Sequence, residues 1–508
     1  MAHIWNSDRA EERIESALAQ VEDVKIVTYS RDLSLENIPA NKAYRVDAAH
    51  LYLDIVNLGD MLSATAEEGV TAHRRTLRFL NLHYRATHRV LAATGAKRVD
   101  FHNQRLHAIV AKPYGDDEAG ARVHAAVAIA QLAMDVLAQT GDTDDHIENA
   151  KIRVGIDTGQ TLAVNNGRRG GREPLFLGQA ANLAAKLSGA GAKTGIYLTN
   201  AARKAIGLPA AANQGQTPLT AAEIAVSQEA AALEVTADEI IKAWREDNEA
   251  NPIGSFDFSG HTPPMRTLEI DTLTPANSRR QLLASLYADL DGFTAFVNAH
   301  IGDNADDIVR ALHVIRAELD NVLSSDFEGR RIRFIGDCIH GIMCEGTAQT
   351  TDVEATISDA VLCAGALRSS FELALKKLSD AGIDVGGLGL QIGFELGPVA
   401  TTRLGMQGAR VRCSVGRAVL AAETEQGRCG ARETAIGMQA YENASEPVRA
   451  LFGAKRKLAD LDYNEAVEAL AGDGDKTAKA SKRAAFAPAA PAVIRATEVQ
   501  VKPHASGG

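Results

Sequence analysis

The chain has 508 residues, 45% hydrophobic and 23% charged, a balance that excludes a disordered or fibrous polymer and allows roughly three domain-sized cores. Its net charge of -11 argues against a general nucleic-acid or anionic-membrane surface, while leaving room for a local basic pocket that takes a small phosphorylated ligand. All five cysteines (Cys338, Cys344, Cys363, Cys413, Cys429) lie in the second half with no Cys-x-x-Cys pair and no paired His spacing, so neither a disulfide framework nor a zinc site is expected.

In chain order, MAHIWNSDRAEERIES lacks a basic segment followed by an apolar one, so no signal peptide is expected, and residues 1–44 read as a helical or extended lead-in. A first domain is expected over 45–275. Within it, HAAVAIAQLAMDVLAQ carries Asp135 and is too short to span a bilayer, so it reads as a buried amphipathic helix of a cytoplasmic protein. Residues 205–262 read as a helical insertion followed by a polar loop. A second domain is expected over 280–471. In it, LLASLYADL is a strand, GFTAFVNAH opens a helix, RIRFIGDCIHGIM is a hairpin with Asp337 at its turn, ATISDAVLCAGALRSSFELALKKL is an amphipathic helix and GLQIGFEL a strand. The Ala/Lys/Pro-rich stretch 472–508 reads as a disordered tail.

The chain contains itself twice. LYLDIVNLGDML resembles LYADLDGFTAF, RLHAIV resembles CIHGIM, IRVGIDTGQ resembles LQIGFELGP, and LGQAANLAAK resembles VGRAVLAAET. The pairs Asp54/Asp289, His107/His340 and Gly178/Gly416 occur in the same order at a nearly constant offset, far longer than a solenoid unit, which implies a duplicated domain. Each copy reads as an α+β sandwich with helices on one face of a mostly antiparallel sheet.

With these residues assembled, the sequence resembles the class III nucleotidyl cyclases: YADLDGFT is similar to the first metal-Asp motif, RFIGDC to the second metal-Asp hairpin, and GQAANLAAK to the Gly-x-x-x-Asn-x-x-x-Arg helix of the partner subunit. The resemblance implies two tandem cyclase-like domains with ferredoxin-like cores, forming within one chain the pseudo-dimer that other members assemble from two. It implies two divalent cations, Mn2+ or Mg2+, held by Asp289, Asp337 and the carbonyl of Leu290. Phosphate oxygens would meet the free N–H groups of Phe293 and Thr294 at a helix start. Asn182 would orient the ribose, and Lys186, where the family usually has Arg, would balance charge at the α-phosphate.

The two halves have complementary losses. The first has Gln104 where its second metal Asp would fall, and a neutral amide is a poor ligand for a hard dication. The second has Leu420 and Thr424 where the first has Asn182 and Lys186. One composite site therefore keeps every part. At the base pocket the purine pattern is absent: Asp100 and Leu175 occupy the positions that usually read adenine or guanine. The set is similar to the Pycsar-type bacterial pyrimidine cyclases, whose cyclic UMP or cyclic CMP acts as an antiphage signal on a separate effector protein. Asp100 accepts equally from uracil N3–H or a cytosine amino group. UTP is the expected substrate, with CTP, then ATP, then a catalytically inactive nucleotide-binding module as alternatives. His107 and His340 recur in both halves and read as packing residues.

Overall fold

In the computed structural model, which describes residues 3–31, 33–63, 67–143, 145–165 and 174–485, apolar and β-branched runs form two sheets. The first holds β1 (Lys25–Thr28), β2 (Lys42–Ile55), β3 (Lys97–His102), β4 (Arg105–Val110), β5 (Ile152–Val164), β6 (Leu175–Leu177) and β7 (Gly195–Leu198). Its order is β3-β4-β2-β5-β6, with β1 added to β2 and β7 to β5. The second holds β8 (Phe258–Ser259), β9 (Ser278–Asp291), β10 (Arg330–Ile335), β11 (Cys338–Met343), β12 (Gly389–Leu404), β13 (Val411–Val415), β14 (Glu433–Ile436) and β15 (Lys457–Ala459). Its order is β10-β11-β9-β12-β14-β15, with β13 on β12 and β8 on β9.

Strand for strand, β8 to β14 repeat β1 to β7, including the parallel pairing of the first and last of each set. Even the irregularities recur: the register slips between Arg98 and Asp100 in one hairpin and between Arg331 and Arg333 in the other.

The expectation that helices cover one face is corrected. Ala49, Leu51 and Leu53 of β2 pack with the helices Val70–Thr94 and Ala119–Leu137, whereas Val46 and Ala48, on the opposite face, pack with Ala181 of the helix Gln179–Ser188. In the second half Leu286 and Ala288 face the helix Val353–Asp380, and Leu283 and Tyr287 face Ala418 and Ala422 of the helix Arg417–Gly427. The central strands are apolar on both faces, and each face needs cover. The helix Ala119–Leu137 is long and apolar enough to cross a membrane by composition, and it lies in this core, with Val123, Val127 and Ala130 buried.

The halves exchange arms. Leu162 and Val164 of β5 and Leu177 of β6 lie in the second half's core, and Leu404, Val411 and Val415 of β12 and β13 lie in the first half's. The lead-in also docks on the second half. Its helix Ser7–Gln20 buries Ile14 and Ala17 there, and Arg13 donates to Glu318 at 2.6 and 2.9 Å and to Asp326 at 2.9 Å. At the other end, the expected disordered tail begins as a helix: Lys476–Ala485 buries Ala478 and Ser481, because alanines on one face suit close packing on the helix Tyr463–Gly472. The rest of that stretch, from 486, lies outside the described residues.

Glu318 and Asp326 have side chains only 1% exposed, and Arg9 also reaches Asp326 at 2.8 Å, so removing Arg13 leaves the buried Glu318 carboxylate without its guanidinium. Arg13→Met is expected to cost about 3 kcal/mol, read by urea titration of Trp5 fluorescence; a loss below about 0.5 kcal/mol would show that this pair does not dock the lead-in.

Candidate active site

Gly336 and Asp337 form the two-residue turn between β10 and β11. Gly336 has φ 61°, a left-handed conformation that suits glycine and leaves Asp337 at the tip. β11 pairs with β9 through Ile339 and Ala288, which brings Asp289 to the same end of the sheet. Burial pushes the Asp289 carboxyl up to about 6, reinforced by Asp291 and opposed by a hydrogen bond from the Leu290 N–H. Burial also pushes Asp337 well above the usual carboxylate range, and the neighbouring Asp289 pushes it further. Two desolvated carboxylates at one end of the sheet form a hard-oxygen donor pair suited to divalent cations. Leu290 keeps its side chain in the core beside them. Phe293 and Thr294 open the helix Phe293–His300, whose first turn has no side-chain cap.

The other half supplies Asn182 from the helix Gln179–Ser188. Gly155 on β5 lets that helix sit close: a Cβ there would stand 2.2 Å from the Ala184 carbonyl oxygen. Gly393 does the same for the helix Arg417–Gly427, where a Cβ would stand 2.1 Å from the Gln426 nitrogen. Asn182 Nδ2 donates to Thr294 Oγ1 at 2.8 Å, so the expected ribose-side residue and the expected phosphate-side residue touch across the halves.

Asp100, Leu175, Asn182 and Asp337 line one cavity of about 230 Å3. That is below the roughly 300–1,000 Å3 of clefts that enclose a whole drug-sized ligand, so it suits part of a nucleotide with the remainder extending outside. Asp289, Phe293 and Thr294 are not among its lining residues. Lys186 is exposed in the last turn of its helix, and Ala185, not Lys186, lines the wall next to Asn182.

Sequence reading missed three cavity-lining groups and one buried cation behind them. Tyr52 of β2 lines the wall, stacked on His107 with ring centroids 4.1 Å apart. Arg316 lies over the Phe334 ring at 3.8 Å. Arg105 follows the first hairpin turn. Behind the wall, Arg333 is 1% exposed and donates to Asp100 Oδ1 at 3.0 Å, to the Phe101 carbonyl at 2.7 Å and to the Arg412 carbonyl. The Phe101 N–H donates to the same Oδ1 at 2.9 Å. Asp100 is thereby held by one oxygen. Arg333 occupies in its own half the position that Asp100 occupies in the first, so the register symmetry brings them together. Only Arg105 carried a sequence signal, its place directly after Gln104.

The pseudo-symmetric location is filled with ion pairs. Arg105 stands opposite Asp54 in the strand register, 3.5 Å away, and its other end reaches Glu423 at 3.0 Å on the helix Arg417–Gly427. A guanidinium thus takes the place beside Asp54 that a cation would need. Thr424 turns back on Leu420, donating to its carbonyl at 2.9 Å. His107 and His340 are buried against Tyr52 and Tyr287, and burial depresses both, His340 to about 3, so they stay neutral.

Residues 43–223 match the family model described as the adenylate and guanylate cyclase catalytic domain. A uridylate cyclase of Pseudomonas aeruginosa is 57% identical over 507 residues, 99% of this chain and 98% of its own. A uridylate cyclase of a Rhizobium species is 38% identical over 437 residues, 82% of each. A crystal structure of a class III adenylyl cyclase-like ATP-binding protein from Pseudomonas aeruginosa superposes with a TM-score of 0.91 at 57% identity, covering 92% of this chain and 100% of that one. The chain belongs to the class III nucleotidyl cyclases, enzymes that are phosphorus–oxygen lyases.

Thr294→Val removes the acceptor that fixes the Asn182 amide and keeps the helix-start N–H. It should lower kcat about fivefold, the worth of one hydrogen bond near 1 kcal/mol, with an unchanged melting temperature. Unchanged turnover would show that this contact does not position Asn182.

Proposed function

We propose that this chain converts UTP to 3′,5′-cyclic UMP and pyrophosphate at a single composite site, with residues 45–275 and 280–471 acting as an intramolecular pseudo-dimer. The observation that carries the reading is that Asp100, Leu175 and Asn182 of one half line the same cavity as Asp337 of the other. It stands in a chain 57% identical to a uridylate cyclase along nearly its whole length.

Asp289, Asp337 and the Leu290 carbonyl would hold two divalent cations, Mn2+ or Mg2+. Bound there, the cations supply acidity at the ribose 3′-hydroxyl and charge neutralisation at the triphosphate. The 3′-oxygen forms its bond to the α-phosphorus in line as the bond to the pyrophosphate oxygen breaks. Asn182, fixed by Thr294, orients the ribose, and the Phe293 and Thr294 N–H groups take phosphate oxygens where the nucleotide leaves the cavity. Lys186, exposed on the next turn, brings a flexible point charge to the α-phosphate from the solvent side.

Asp100, with Oδ1 held by Arg333, accepts the uracil N3–H through Oδ2, and Leu175 packs on the ring without offering the hydrogen bond a purine edge needs. CTP makes the same demand on Asp100 and is the nearest alternative. ATP is a second reading, favoured by the ATP-binding description of the similar crystal structure.

The product is proposed to act in the cytoplasm as an antiphage signal read by a separate effector. The resemblance to Pycsar-type cyclases supports the signal, and five unpaired cysteines fit a reducing compartment. Incubation with UTP, CTP, ATP and GTP plus Mn2+, with products followed by mass spectrometry, is expected to give cyclic UMP, reduced about a thousandfold in Asp337→Ala. Cyclic AMP as the main product would overturn the base reading, and no product from any nucleotide would overturn the activity.

A further inference from the structure

A second cluster of ligand-type side chains lies apart from the catalytic cavity, where the lead-in meets the second half. His3 Nε2 is 3.0 Å from Glu345 Oε1 and 3.7 Å from Asp359 Oδ2. One donor atom from each of the three lies within 4.8 Å of the others. The three come from unconnected places: the first described residues, the loop after β11 and the helix Val353–Asp380.

His3 is 3% exposed and Asp359 2%, and Asp359 Oδ1 is buried with no hydrogen-bond partner among the described residues. Asp359 and Glu345 border a cavity of about 570 Å3 whose rim also carries Asp352, Glu354 and Asp475. The His3 Nε2 hydrogen bond goes to Glu345 and leaves the orphan oxygen unsatisfied, whereas a dication held by a neutral imidazole and the two carboxylates satisfies it. The spacing also suits a metal. Bonds of about 2.0–2.2 Å at the tetrahedral angle put neighbouring ligand atoms roughly 3.3 Å apart, between the two observed separations.

We propose that His3, Glu345 and Asp359 form a structural site for a divalent transition-metal ion, with Zn2+ best matched to one imidazole and two carboxylates, that clamps the lead-in onto the second half. The cysteine pattern gave no hint of it, because its ligands are nitrogen and oxygen donors far apart in sequence. The acidic cavity provides the path for the ion and a place for a fourth, water ligand. Tyr463, which donates its hydroxyl to the His3 carbonyl at 3.4 Å, and Trp5, which donates to Ser370 Oγ at 2.6 Å, hold the segment in place for ligation.

The test uses the full chain carrying Asp337→Ala, which dismantles the catalytic carboxylate pair, with any affinity tag at the C-terminus. Zn2+ titration calorimetry and Co2+ absorption should show one ion per chain and a raised melting temperature. Affinity should fall at least tenfold in Asp359→Asn and in His3→Gln, the second variant altering only a lead-in side chain. Zn2+ affinity unchanged by both substitutions, or no binding in the parent, would overturn the proposal.

Discussion

The crowding of two half-buried carboxylates at one end of one sheet is the constraint on which the rest of this chain is arranged. Desolvation pushes both Asp289 and Asp337 toward the neutral form, and Asp289 pushes Asp337 further, which costs stability unless a cation comes between them. The chain keeps that tension in the second half only. In the first half, Gln104 removes one charge and Arg105 answers the other, joining Asp54 to Glu423 across the interface. A guanidinium built into the fold stabilises the location and closes it to metal. The same duplicated frame thus holds a carboxylate pair in the second half and, at the matching place in the first, an Asp54–Arg105–Glu423 bridge.

Placement of the groups that face those carboxylates follows from packing. The arms exchanged through β5–β6 and β12–β13 bury apolar residues of each half in the other's core, which fixes the halves without a linker having to do so. Gly155 then brings the Asn182 helix down onto its sheet, and Asn182 reaches Thr294. Asp100 is set by Arg333, its symmetry counterpart. The Asp100 carboxylate is therefore oriented by a side chain of the second half, which ties the placement of one half's cavity wall to the other.

Much of this was legible in the sequence because it rests on local chemistry. A Gly-Asp turn between apolar arms, an Asn at helical spacing and a repeat at constant offset are all patterns within short windows. The four central strands of each sheet follow once the repeat is noticed, whereas the short strands β1, β6 and β7 and their counterparts β8, β13 and β14 were not read from it. What the sequence did not disclose depends on long-range juxtaposition. Arg316 and Arg333 look like ordinary helix and strand arginines until the fold stacks one on Phe334 and aims the other at Asp100. The docking of the lead-in through Arg13 has no local signature. The second helical cover escaped because an apolar strand reads the same whether one face or both are buried, and the helix at Lys476 looked like low-complexity tail because alanine and lysine spacing alone does not reveal a packing partner.

The central claim is that each chain makes one nucleotide site from both halves. Calorimetric titration with a non-cyclisable UTP analogue and Mn2+ tests it most directly. The account predicts one nucleotide per chain, with binding weakened by Asn182→Ala in the first half and by Asp337→Ala in the second. Two nucleotides per chain, or binding that depends on residues of one half alone, would contradict it.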